Sequence, residues 1–132
     1  MNGYTIIKLD DVENAFEKHG WPGEMRFLTG ALDNEQVAIT YRKMPKNSGG
    51  KGSYGHFHHT QEEIVFLIKG ELEVKVGDEV KMLYANEAIR IAPETVRSLW
   101  NAKDEPAELL ILSTKLAEGR GDDEKVPDFW PE

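Results

Sequence analysis

Residues Gly50–Gly70 read GKGSYGHFHHTQEEIVFLIKG. His56 and His58 are separated by one residue, so on an extended strand their imidazoles project to the same side and His59 projects to the other. Glu63 opens a second run, in phase with Val65 and Leu67, within which Ile64 to Ile68 is apolar on both faces. If Val65 and Leu67 line an interior, Glu63 does too, and two imidazoles and one carboxylate can converge from adjacent strands. That set suits a divalent metal, with positions left open for water or substrate. The chain has no cysteine, which excludes disulfides and thiolate metal sites. Glu62 falls on the outward side, and Gln61 is placed to hydrogen-bond at the rim.

Moving outward, Gly70 breaks the strand, and Glu71 to Val76 alternates strictly, with Leu72, Val74 and Val76 on one side. Gly77-Asp78 reads as a tight turn. Glu79 to Leu83 continues the hairpin, with Val80 and Met82 expected in phase with the apolar side. Ala88 to Ile91, Thr95 to Trp100 and Ala107 to Ser113 supply further strands. Upstream of the glycine-rich loop PKNSGGKGSYG (45–55), Gln36 to Arg42 alternates, with Val37, Ile39 and Tyr41 on one face and Ala38, Thr40 and Arg42 on the other. Met25 to Leu28 and Tyr4 to Leu9 are shorter β-like segments. Asp10 to His19 predicts a brief helix, with Asp10 as N-cap, Glu13 completing a capping box, and Val12, Ala15, Phe16 and His19 on one face. His19 is then a helix-end residue and not a ligand.

Many short strands with one minor helix predict an all-β antiparallel sandwich or barrel. The 132 residues fit a single domain, 1–132, with a barrel core at about 36–114 and a C-terminal tail at 115–132. In that tail AEGRGDDEK is charged and expected to be mobile, while Phe129 and Trp130 are placed to pin the end back onto the body. The second face of Ile64 to Ile68 needs cover from another layer or another subunit, so a homodimer is expected. A net charge of -8 disfavours nucleic acid as a partner. No apolar run is long enough to span a membrane, and the N-terminus lacks the pattern of a secretory signal, so a soluble cytoplasmic protein is expected. There is no nucleotide-binding phosphate loop and no serine-elbow motif.

Gly50, His56, His58, Glu63 and Gly70 together resemble the first signature of the cupin superfamily: a glycine, a His-X-His pair, a glutamate and a closing glycine in matching order and spacing. The second signature is degraded in NEAIRIAPETVRSLWN (86–101). Asn86 and Glu94 stand where glycines are expected, Arg97 stands where the third metal-binding histidine is expected, and Asn101 matches. The resemblance covers roughly Pro45 to Ser113. It implies a double-stranded β-helix, a jelly-roll barrel often found as a dimer, here with one short N-terminal helix. It also implies that His56, His58 and Glu63 are ligand candidates for a divalent metal such as Fe, Mn, Zn or Ni.

Arg97 leaves two readings open. A guanidinium cannot coordinate a cation, and a buried one needs a partner. It either pairs bidentately with Glu63 and replaces the metal, or it clamps an anionic ligand while the other three residues hold the metal. The first function expected is binding of a metal and a small polar or anionic molecule inside the barrel, with Arg97, Gln61, Tyr41 and Trp100 as candidate ligand-binding residues and no catalytic residue assigned. Met82 and Tyr84 are further candidates for the pocket, with Tyr54 and Phe57 at its entrance. The alternatives are a metal-free binding module and a structural barrel in which Arg97 pairs with Glu63.

Overall fold

The computed structural model describes residues 3–116 and 122–132. Its strands are β1 (Glu24–Phe27), β2 (Val37–Met44), β3 (Ser48–Gly49), β4 (Ser53–His58), β5 (Glu63–Lys69), β6 (Glu71–Val76), β7 (Glu79–Tyr84), β8 (Ala88–Ile91), β9 (Arg97–Asn101), β10 (Ala107–Thr114) and β11 (Asp123–Trp130), with one short helix α1 (Leu28–Leu32). They form two antiparallel sheets, ordered β1-β2-β10-β5-β8 and β11-β4-β9-β6-β7, with β3 on β9. The all-β barrel expected from the strand pattern is what is found.

Period-two burial drives the two sheets together. Val65 and Leu67 of β5 and Leu109 of β10 meet Leu72 and Val74 of β6, and all five are at most 1% exposed. Two glycines of the quoted stretch serve geometry. Gly70 takes φ 91 between β5 and β6, a conformation disfavoured for other residues. A Cβ on Gly50 would lie 1.8 Å from Ser98 Oγ, so only glycine lets the loop approach β9 so closely.

The β6–β7 hairpin corrects one expectation. The Gly77-Asp78 turn pairs Val76 with Glu79, so Leu72 opposes Leu83 while Lys75 and Glu73 oppose Val80 and Met82. Val80 and Met82 therefore face outward, 48% and 40% exposed, and Leu83 is the buried member. A two-residue turn sets the phase of the returning strand, and local apolarity does not override it.

The N-terminal expectations also change. Tyr4 to Leu9 is not a strand, and Asp10 to His19 is not an α-helix but two 3-10 turns, Leu9–Asp11 and Glu17–His19, with no side-chain cap from Asp10. Asn14 Oδ1 accepts from the amides of Phe16 (3.1 Å) and Met25 (3.0 Å), and the Ala15 amide donates to Met25 O. These bonds to β1 replace the helical ladder. The only α-helix among the described residues is α1, which lies later in the chain.

The tail expected to be mobile is a strand from Asp123 onward, paired with β4 so that Asp123 opposes His58 and Lys125 opposes His56. Trp130 is 4% exposed and anchors it. Residues 117–121 of that tail lie outside the described residues. No helix among the described residues is long and apolar enough to cross a membrane.

Candidate metal centre

His56 and His58 stand two apart on β4, and Glu63 opens β5 after the turn 59–62. The three donors come from facing sheets, not adjacent strands, so they meet across the lumen. Their ligand atoms all lie within 4.8 Å of one another. His58 Nε2 is 3.4 Å from Glu63 Oε2, and the two imidazole rings stand edge to face at 5.2 Å. His59 and Glu62 face outward, with Glu62 paired to Arg90.

Each of two ligand candidates is steered by another group. The Asp122 carboxylate lies 3.1 Å from His58 Nδ1, an arrangement that places the proton on Nδ1 and leaves Nε2 free to bind. Asp122 is itself held by the Thr60 amide and hydroxyl, at 2.5 and 2.6 Å. Glu63 divides its oxygens: Oε2 faces His58, and Oε1 lies 3.0 Å from Arg97 Nη2. The Arg97–Glu63 contact is thus single and not the bidentate pair considered from sequence. Arg97 is 1% exposed, and its Nη1 donates to Thr95 O at 3.0 Å. Its Nε meets no acceptor among the described residues, and the Nη2 proton is not aimed squarely at Glu63.

The electrostatics favour the ligating form at His56 and Glu63, and the protonated imidazole at His58. Burial lowers the pKa of His56, reinforced by the Arg97 charge, so its neutral imidazole is favoured. Burial pushes Glu63 upward, but the His58 hydrogen bond and the Arg97 charge outweigh it, and the carboxylate is held below its usual range. The hydrogen bond to Glu63 raises His58 against the opposing effect of burial.

His56 and Glu63 open onto a cavity of about 490 Å³ whose wall also includes Arg97, Arg42, Trp21 and Tyr54. Of the ligand-binding candidates, Arg97 is on this wall, while Gln61, Tyr41 and Trp100 are not. Gln61 is buried at the rim, where its Nε2 donates to Thr114 O and its Oε1 accepts from the Asp122 amide. Tyr41 donates to Glu108 at 2.6 Å on the opposite face of β2 from Arg42, and burial together with Glu108 raises its pKa. Trp100 opposes Glu73 on the outward side of β9. Met82 and Tyr84 are likewise outside, and Phe57 is not on the cavity wall. His19 stacks on Trp21 at 4.3 Å.

The sequence reading missed two residues of this site, Asp122 and Arg42. Asp122 reaches His58 only through the pairing of a distant strand. Arg42 shares a face with Ala38 and Thr40, and a charged residue continuing that face was the available signal.

The cupin-domain family model matches residues 46–113. The chain belongs to the cupin family. Several solved structures share the fold of this cupin. A cupin protein from Bacteroides fragilis superposes with a TM-score of 0.68 at 21% identity, covering 92% of each chain. A protein described as a sugar phosphate isomerase from a cupin superfamily, from Silicibacter pomeroyi, superposes with a TM-score of 0.69 at 15% identity, covering 97% of this chain and 96% of its own. The cupin domain of a transcriptional regulator from Enterobacter cloacae gives 0.60 at 20% identity over 70% and 96%. At these identities the likeness concerns the fold alone. No curated protein matches the chain.

The degraded cupin signature keeps its backbone. Asn86 and Glu94, standing at the expected glycines, take φ 70 and 67, the left-handed conformation that glycine serves best. Asn101 is fully buried, donating from Nδ2 to Met44 O and Glu105 O and accepting from the Lys103 amide.

Proposed function

We propose that this cupin holds a divalent metal (Fe, Mn, Zn or Ni) on His56, His58 and Glu63, and binds a small polar or anionic molecule beside it, with Arg97 as an anchor. The observation that carries the reading is the split of Glu63. Oε1 is occupied by Arg97 while Oε2 remains directed at His58. Arg97 then orients a ligand carboxylate without taking its donor atom, so the arginine and a metal are compatible. The donor set fits the group: His56 is favoured neutral and Glu63 ionised, and a bound cation would take the place of the proton that Glu63 favours on His58.

When bound, such a metal supplies polarisation of a ligand oxygen or activation of water or dioxygen. The chain itself contributes the rest. Asp122 fixes the His58 tautomer, Arg97 holds Glu63 ionised, and the apolar cavity wall limits water around the triad. A soluble, cytoplasmic homodimer is part of the same reading. Support for the dimer comes from Ile64 and Ile68 on the outer face of β5, each 41% exposed.

A second reading is favoured by the Arg97–Glu63 contact itself: a metal-free barrel in which that pair is structural. Metal analysis separates the two. Untagged protein is expected to carry or take up one metal per chain and to lose it in His56→Ala plus His58→Ala. Protein that stays metal-free in the presence of Fe(II), Mn(II), Zn(II) and Ni(II) would establish the second reading.

A further inference from the structure

The metal reading leaves one half-buried cation, Arg42, unused. Arg42 lies on β2, opposite Met25 on one side and Leu109 on the other, and it lines the same cavity as His56, Glu63 and Arg97. Among the described residues no carboxylate lies within ion-pair distance of Arg42, and its buried Nε has no hydrogen-bond acceptor. Arg97, 1% exposed, also has a buried Nε without an acceptor among those residues. A buried unpaired guanidinium is costly, because neither water nor a counter-charge replaces its lost hydration. Arg42 has no acidic partner among the described residues and Arg97 shares its single one, Glu63, with His58, so this wall holds two guanidiniums with too few acceptors among those residues.

The charge count runs the same way. Arg42 and Arg97 contribute two positive charges and Glu63 one negative charge, with His56 favoured neutral, so the wall carries a net positive charge before any metal is added. The chain as a whole is at -8, so this cavity runs opposite to the rest of the molecule. The remaining wall is largely apolar or aromatic, with Phe16 and Trp21 contributed by the N-terminal segment and Tyr54 by β4.

We infer that the cavity binds a small dianion with a flat apolar part, with Arg42 and Arg97 sharing its negative charge and Phe16, Trp21 and Tyr54 covering the apolar part. This rests on the ligand-binding half of the proposed function and not on the metal. Dicarboxylates and phosphate monoesters both have the required chemistry, and guanidinium forks suit either.

Binding of phthalate, phenyl phosphate and benzoate is measured by calorimetry, on metal-stripped and on zinc-loaded protein. At least one of the two dianions is expected to bind ten-fold or more tightly than the monoanion benzoate, and which one does so identifies the acidic group. Arg42→Met is expected to abolish that advantage. Arg42→Lys is expected to keep part of the advantage, because the charge survives and the fork does not. The melting temperature of Arg42→Met without ligand is expected to equal or exceed that of the parent, since an unpaired buried charge has gone. Equal affinity for all three probes, or undiminished dianion preference in Arg42→Met, overturns the inference. So does a large fall in melting temperature in Arg42→Met that Arg42→Lys restores, because Arg42 would then be structural. Dianion selectivity without metal uptake overturns the metal site alone, and metal uptake without selectivity overturns this inference alone.

Discussion

Asp122 Oδ1 lies 3.1 Å from His58 Nδ1, and this contact ties the start of the C-terminal strand to the histidine at the end of β4. A carboxylate behind a ligating imidazole sets its tautomer and raises its basicity, and losing such a partner typically lowers metal affinity about 10–100-fold. Asp122→Ala is expected to weaken zinc binding by that order in competition with a chromophoric chelator. Asp122→Asn is expected to lose less, because an amide oxygen still accepts from Nδ1. Circular dichroism matching the parent shows that the fold is kept, and unchanged affinity in Asp122→Ala would remove Asp122 from the site.

The same carboxylate makes a defined contribution to acid stability. Burial disfavours its charge, but hydrogen bonds from Thr60 and His58 outweigh that and lower its pKa from 3.8 to about 2. A group depressed in the folded state stabilises above its unfolded pKa and loses that contribution as pH falls through the folded one. The Asp122 contribution is therefore complete above pH 3.8 and disappears as pH falls toward about 2. Glu63, also held below its usual range, acts with the same sign. Urea unfolding of metal-free protein across the acid range is expected to show Asp122→Asn less pH-dependent than the parent in that window. Parallel curves would contradict the assignment.

Glu94 occupies the left-handed region at φ 67, and its amide donates to His58 O at 2.6 Å. A side chain in that conformation costs roughly 1–2 kcal/mol, part of which glycine returns through its freer unfolded chain. Glu94→Gly is expected to stabilise the protein by about 0.5–1 kcal/mol, raising the melting temperature by roughly 2–5 °C. The hydrogen bond to β4 involves backbone only and survives the change. A lowered melting temperature would mean that the Glu94 side chain has a role its backbone angle does not reveal.

What could be read from the residues follows the range of the forces involved. His56, His58 and Glu63 were legible because strand periodicity carries a side chain's direction along a few residues. The outward side of Val80 and Met82 is not legible, because the turn between them and Val76 sets their phase and apolar character alone does not show it. Asp10 to His19 had the caps and spacing of a helix, yet Asn14 and Ala15 bond to Met25 of β1, which no local pattern reveals. Asp122 was hidden by the distance along the chain between β11 and β4. Arg42 is not singled out by its strand, because the apolar alternation of Val37, Ile39 and Tyr41 marks the opposite face as the buried one.

The outer face of the five-stranded sheet remains to be covered. Register aligns Ile39, Leu112 and Ile64 in one cross-strand row and Tyr41, Leu110 and Phe66 in the next. Ile64 and Ile68 at 41% exposure and Val37 at 43% extend that apolar surface to solvent. A continuous apolar sheet face of this kind is characteristic of an interface, and a stable one buries about 800 Å² on each partner. Sedimentation equilibrium is expected to give twice the 15.0 kDa chain mass. Ile64→Lys plus Ile68→Lys is expected to give the monomer mass, because two lysines facing their counterparts across a symmetric interface repel and cannot be hydrated there. The double variant is expected to keep its metal affinity, since both side chains point away from His56, His58 and Glu63. A parent protein sedimenting as a monomer at the highest accessible concentration would leave this surface without a second copy of the chain as its cover.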